Sequence, residues 1–163
     1  SHQKVLINYL DSIMRDSYSE NKNKTTSTAS ILHEIAETIH KKSLVVLFTD
    51  MFTQDDQKEL FEALEHLRYN KHEVIVFHVI HKKSEQFFEL ENRPYKLIDM
   101  ETGETFKLTP SEYREYYCKN IDAQFKELTR RCLQYKIDLV EVDIDSPFEQ
   151  VLSSWFVKRK KLY

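Results

Sequence analysis

Glycine is almost absent: one residue in 163. At ordinary usage of about 7 per cent, a chain of this length carries roughly eleven. Loops that cradle phosphate need several glycines at fixed spacings, because the backbone N–H groups must approach the anion closely. A Walker A loop, a dinucleotide fingerprint and a kinase-type glycine loop are therefore excluded from these residues. An excess of charge of one sign is also lacking: 24 Lys and Arg stand against 27 Asp and Glu, a net −3. That balance draws the chain neither to nucleic acid nor to an anionic membrane, and no nucleic-acid partner is expected. Long apolar runs are missing too. The longest, Leu44–Phe48, falls far short of the ~18 residues of a spanning helix. Cysteine is scarce: Cys118 and Cys132 lie fourteen apart in one predicted helix, where a rise of ~1.5 Å per residue separates them by roughly 21 Å. A disulfide between them is out of reach, and reduced thiols in an intracellular, cytoplasmic setting are expected.

What is present is a globular composition, 40% hydrophobic and 31% charged. The length matches one domain of about 150 residues, enough to bury a core. The chain opens on Ser1-His2 without methionine, which reads as a cloning remnant on a fragment of a larger protein. Residues 3–17 read as a short amphipathic helix with Val5, Leu6, Tyr9, Leu10 and Ile13 on one side. A polar, aperiodic loop follows over 16–28, then a helix from Ala29 to Lys42. Leu44–Phe48 and Val74–Ile80 are continuous apolar runs. Runs of this kind predict strands of a parallel sheet, buried on both faces. Between them Thr53 is positioned to cap a helix over 54–69. Residues 86–108 predict a hairpin insertion whose turn holds the single glycine, Gly103.

Two helix starts share one design. Thr109-Pro110-Ser111-Glu112 and Ser146-Pro147-Phe148-Glu149 each place a hydroxyl at the N-cap, proline first in the helix and glutamate three after the cap. The first opens a helix to about Tyr135, with Cys118, Ile121, Phe125, Leu128 and Cys132 on its apolar face. The second opens a terminal helix, and Ile137–Val142 between them alternates as an edge strand does. Strands alternating with helices give an α/β fold: a three-layer sandwich around a mostly parallel sheet.

In such a sheet ligands gather at the carboxyl ends of the strands. Asp50, His78, His81, Asp143 and Asp145 fall there. Asp50 has two readings, an oxygen ligand for magnesium or a cap of the next helix. Asp145, just before Ser146, reads as a cap. His78 lies within an apolar run and reads as a packed, hydrogen-bonded histidine. His81, at the strand end, is more open to a functional reading. Cys118 and Cys132 behave as small core hydrophobes. Asp55, Asp56 and Glu59 suit a helix N-terminus, and the basic run Lys158–Lys161 suits a helix C-terminus.

Several segments occur in a familiar order: Leu44–Asp50, Asp99–Glu104, Tyr113–Tyr117 and Ile144–Arg159. Together they resemble the C-terminal half of DUF58 proteins, which look like von Willebrand factor A domains and are often encoded beside MoxR-type AAA+ ATPases. The resemblance implies a partial A-domain-like topology of strand order three-two-one-four-five-six. It also implies a protein partner, with a MoxR-type ATPase as the candidate, and a non-catalytic interaction or scaffold role. Asp50, preceded by Thr49, matches the aspartate that follows the fourth strand in the adhesion metal site. The Asp-x-Ser-x-Ser partner motif has no match here, because Asp11-Ser12-Ile13-Met14 lies in a helix. Magnesium is therefore expected only with an N-terminal half supplied from outside these residues. His81 stands where the family tends to carry aspartate, and Glu85 at the following glutamate. With strand one absent, Leu44–Phe48 is expected as an exposed apolar edge that promotes self-association. The alternative function is a metal-dependent hydrolase using Asp50, His81 and Asp143.

Overall fold

The computed structural model describes residues 2–16, 28–50, 57–98 and 103–160. Five helices and five strands follow one another along these segments. They are α1 (His2–Asp16), α2 (Thr28–Thr38), β1 (Leu44–Thr49), α3 (Gln57–Tyr69), β2 (Glu73–Ile80), β3 (Tyr95–Ile98), β4 (Thr105–Leu108), α4 (Pro110–Gln134), β5 (Asp138–Asp143) and α5 (Phe148–Lys160). One π-helical turn, Lys82–Gln86, follows β2. The main sheet has the order β1-β2-β5, with every pair parallel. Tyr95 pairs with Leu108 and Ile98 with Thr105, so β3 and β4 form a separate antiparallel hairpin. The α/β class is as the sequence predicts.

β2 is the spine of the fold. Val74, Ile75, Val76, Phe77 and Ile80 are each at most 4% exposed, which explains an apolar run with no alternation. On one face Val74 and Val76, with Val45, Leu47 and Leu139 beside them, pack under α2, α3 and α4. Those helices contribute Leu32 and Ala36, then Leu64 and Leu67, then Leu128 and Cys132. On the other face α5 lies over β2 and β5. Trp155 meets Phe77 edge-on at 6.1 Å, and the Arg159 guanidinium forks onto the Glu73 carboxylate at 2.8 and 2.9 Å.

β1 departs from the expectation of burial on both faces and meets the other one, an exposed apolar edge. Its residues alternate between exposed and half-buried rather than being covered on both faces. Val45 and Leu47 enter the core, while Leu44, Val46 and Phe48 stay open. The reason is position: among the described residues β1 is a sheet edge, and α5 packs on β2 and β5. α2 is also shorter than expected, ending at Thr38 rather than Lys42. The chain reverses into β1 there through Lys42, whose φ of 65° is left-handed and incompatible with a continuing helix.

Left-handed lysines also end α3 and α4. Lys71 and Lys136 have φ of 65° and 56°. At α3, His72 N–H donates to Leu67 O and Lys71 N–H to Arg68 O; at α4, Ile137 N–H donates to Cys132 O and Lys136 N–H to Leu133 O. These are paired six-to-one and five-to-two bonds, the helix ending that glycine usually occupies. In this glycine-poor chain lysine takes the glycine position.

The predicted cap of α3 at Thr53 lies outside the described residues, as do the polar loop at 17–27 and most of the hairpin turn. Gly103 has φ of 74°, as a left-handed turn glycine requires. Thr109 occupies the N-cap of α4 with proline behind it, but its hydroxyl makes no cap bond. Glu112 N–H donates to the Thr109 carbonyl instead, at 3.1 Å. Both cysteines are free thiols, Cys118 half-buried and Cys132 buried. No described helix is long and apolar enough to cross a membrane.

Candidate functional site

The carboxyl ends of β1 and β2 open into a cavity of about 160 Å³ between the sheet and α4. Side-chain alternation sets its floor. His78 follows Val74 and Val76 on the helix-covered face, and Ile80 continues the row. The wall comes from α4, where Tyr117, Ile121 and Phe125 recur at four-residue spacing and share one face. The His78 and Phe125 rings lie 5.1 Å apart. The π turn supplies the remaining side. It lifts Glu85 to the rim, where the Tyr117 hydroxyl donates to the Glu85 carbonyl at 2.9 Å and the Glu85 carboxylate accepts the His81 N–H at 3.2 Å.

The electrostatics follow from this placement. Burial, chiefly, holds the His78 pKa below its ordinary value, while the Glu141 and Asp50 charges pull it back up. Burial and the Glu85 charge push the Tyr117 phenol upward. Asp50 lines the cavity with His78 and Glu85. Among the described residues no group of three or more His, Cys, Asp or Glu side chains is arranged to hold a metal ion.

His81 and Asp143 belong to a neighbouring strap and are not in the cavity lining. His81 Nδ1 lies 2.6 Å from Ser84 Oγ, and its Nε2 lies 3.5 Å from Asp145. Asp145 also holds Lys83 at 2.8 Å, and that hydrogen bond is the main reason its carboxyl titrates below the usual range. Asp143 accepts the N–H groups of Lys82 and Asp145 at 3.4 and 3.3 Å. The strap ties the π turn to the turn after β5. Ser, His and Asp thus stand in series, but the aspartate is committed to a lysine and the serine lies within the same turn as the histidine. Asp145, expected as a cap, is an ion-pair partner. Sequence reasoning missed Ser84 as the partner of His81 and Tyr117 as part of the cavity. The three-residue step from His81 to Ser84 and the spacing Tyr117, Ile121, Phe125 were the available signals.

The other candidate surface is the open side of β1. Leu44, Val46 and Phe48 are 45%, 42% and 66% exposed. Their cross-strand partners are Glu73, Ile75 and Phe77. Ring contacts run from Phe48 through Phe77 and Trp155 to Phe156, at 4.9, 6.1 and 4.8 Å. α1 also leaves apolar residues outward, with Leu6, Tyr9 and Leu10 all more than half exposed.

No curated protein and no solved structure matches the chain. One family model does, "protein of unknown function DUF58", over residues 1–127. The match takes in the β1 and hairpin segments and stops short of Ile144–Arg159, which was also part of the sequence resemblance. With well over half of its length under that model, the chain belongs to the DUF58 family.

Proposed function

We propose that this domain is a protein-interaction module without catalysis of its own, and that it associates through β1 with a second copy of itself. The observation that carries the reading is the composition and exposure of one edge strand. Leu44–Thr49 contains no charged residue, no proline and no bulge, and three of its apolar side chains face outward. Soluble proteins normally blunt such an edge with lysine, proline or a covering segment. An exposed apolar patch continuous with a sheet edge marks a surface that pairs. The opposite edge makes the contrast: β5 carries Asp138, Glu141 and Asp143, charges that discourage pairing. The acid and histidine groups at the strand ends support the same reading, because His81, Asp143 and Asp145 are engaged in holding turns together. An AAA+ ATPase as a further partner rests on the sequence resemblance alone.

Sedimentation velocity across the micromolar range tests the proposal. A concentration-dependent dimer is expected for the native sequence. The double variant Val46→Lys/Phe48→Lys is expected to sediment as a monomer with an unchanged circular dichroism spectrum. A native protein that stays monomeric throughout, or a variant that dimerises equally well, overturns the reading.

A further inference from the structure

We propose that the cavity at the carboxyl ends of β1 and β2 binds a primary alkylammonium group, a compact cation on an unbranched apolar stem. This stands independently of the β1 reading, since it concerns the opposite face of the sheet. Three observations carry it. The first is charge. Asp50 and Glu85 both line the cavity, and among the described residues no lysine or arginine does. The lysines of the adjoining turn are committed elsewhere, Lys82 to Glu141 at 3.5 Å and Lys83 to Asp145 at 2.8 Å. They therefore do not neutralise the lining. His78 adds no competing cation at neutral pH, because burial keeps its ring uncharged.

The second observation is the wall. Ile80, Ile121 and Phe125 give the cavity an apolar body beneath its anionic rim. An anion entering here meets two carboxylates. A neutral apolar ligand leaves those carboxylates partly desolvated and without a counter-charge. A cation on an alkyl stem satisfies both regions at once, and the Tyr117 and Phe125 rings add favourable faces for it. An ammonium carries three N–H donors on one atom, enough to serve carboxylates on separate elements. A planar guanidinium is better matched to one bidentate partner.

The third observation is size. A volume of about 160 Å³ holds roughly five waters at ~30 Å³ each. An amine with a four-carbon stem has a comparable number of heavy atoms.

The group has two sources, a free alkylamine or a lysine side chain presented by a protein. Both are tested by following the backbone ¹H–¹⁵N signals of His78, Tyr117 and Gln124 at fixed ionic strength. The probes are n-butylammonium, 1-butanol, butyrate, magnesium chloride and lysine blocked at both its α-amino and carboxyl groups. Saturable shifts with n-butylammonium are expected, with an affinity about tenfold above that of 1-butanol, the scale of one charge-assisted hydrogen bond. Equal binding of the blocked lysine assigns the site to a protein-borne lysine, and binding of n-butylammonium alone assigns it to a free amine. Asp50→Asn/Glu85→Gln is expected to abolish the preference for the cation. Both side chains are exposed, and glutamine retains an oxygen for the His81 N–H, so the fold is preserved. The proposal is overturned if 1-butanol binds as well as n-butylammonium, if no amine saturates, if the double variant keeps the preference, or if magnesium alone shifts these signals.

Discussion

Phe48 stacks on Phe77 with ring centroids 4.9 Å apart and planes inclined by 11°, yet Phe48 is 66% exposed and Phe77 only 4%. One aromatic pair thus spans the boundary between the core and the open face. The two residues should respond very differently to truncation. Phe77→Ala removes a buried ring and is expected to cost about 3–5 kcal/mol. Phe48→Ala forfeits one face of a stacked pair and is expected to cost about 1 kcal/mol or less in the monomer. Urea unfolding of both variants on the Val46→Lys background separates these costs from any effect of association. Equal losses would place Phe48 in the core.

The left-handed lysines predict an easy gain in stability. A non-glycine residue in the left-handed region costs about 1–2 kcal/mol relative to the right-handed one, and glycine avoids most of that strain at a helix C′ position. Lys71→Gly and Lys136→Gly are each expected to stabilise the fold by about 0.5–1 kcal/mol, after glycine's extra entropy in the unfolded chain is counted. Thermal unfolding would show the increments adding, since the two turns end different helices.

Two pH windows should appear in the stability profile, with the same sign. The buried His78 ring has a lowered pKa, burial being the main cause. The unfolded chain therefore takes up a proton near the ordinary value of about 6.5 while the folded chain resists it. Stability is full above that pH and declines as pH falls through the window below it. Glu127 behaves as a carboxylate held by Arg130 and then Arg131, with its pKa lowered to about 2 from 4.5. Its contribution is present above pH 4.5 and is lost as pH falls toward 2. His78→Gln should flatten the upper window alone, and Glu127→Gln should shrink the lower one, to which Asp145, held by Lys83, also contributes. Melting temperature measured across the acid range checks both.

Thiol chemistry should be conformation-dependent. Burial pushes the Cys132 thiol up to about 11, so little reactive thiolate exists at neutral pH. In the folded protein one cysteine, the half-buried Cys118, is expected to react with iodoacetamide, and Cys132 only after denaturant is added. Mass spectrometry of a labelling time course counts the adducts. Rapid native labelling of Cys132 would mean that α4 opens readily.

Much of the fold was legible because local sequence rules and tertiary packing agree. The run Val74–Ile80 sits at the sheet centre as its lack of polar alternation demands. Leu44–Phe48 has the same kind of composition but an open side. An apolar run records that a strand suits burial and says nothing about which elements arrive to cover it. Thr109-Pro110 marked the start of α4 because proline geometry is local, whereas the hydroxyl bond expected there is replaced by a backbone one. The cavity was the least legible part. Its histidine was read correctly as packed, but its rim depends on a π turn over Lys82–Gln86, and no sequence periodicity announces a π turn. Asp50 and His78 were both visible as strand-end candidates, and the placement of Glu85 beside them was not.

The two edges of the sheet differ in a way that bears on symmetry. β1 is uncharged and β5 is acidic, so head-to-tail addition of β1 to β5 is disfavoured, and with it the open-ended growth of a fibre. Joining β1 to β1 requires a two-fold axis, across which the two strands run antiparallel. That operation uses both uncharged edges at once and fuses two three-stranded sheets into one, bounded at each end by β5. Association through this edge, as proposed, would close at a dimer. Neutralising Asp138, Glu141 and Asp143 would remove the boundary and turn a closed assembly into a propagating one.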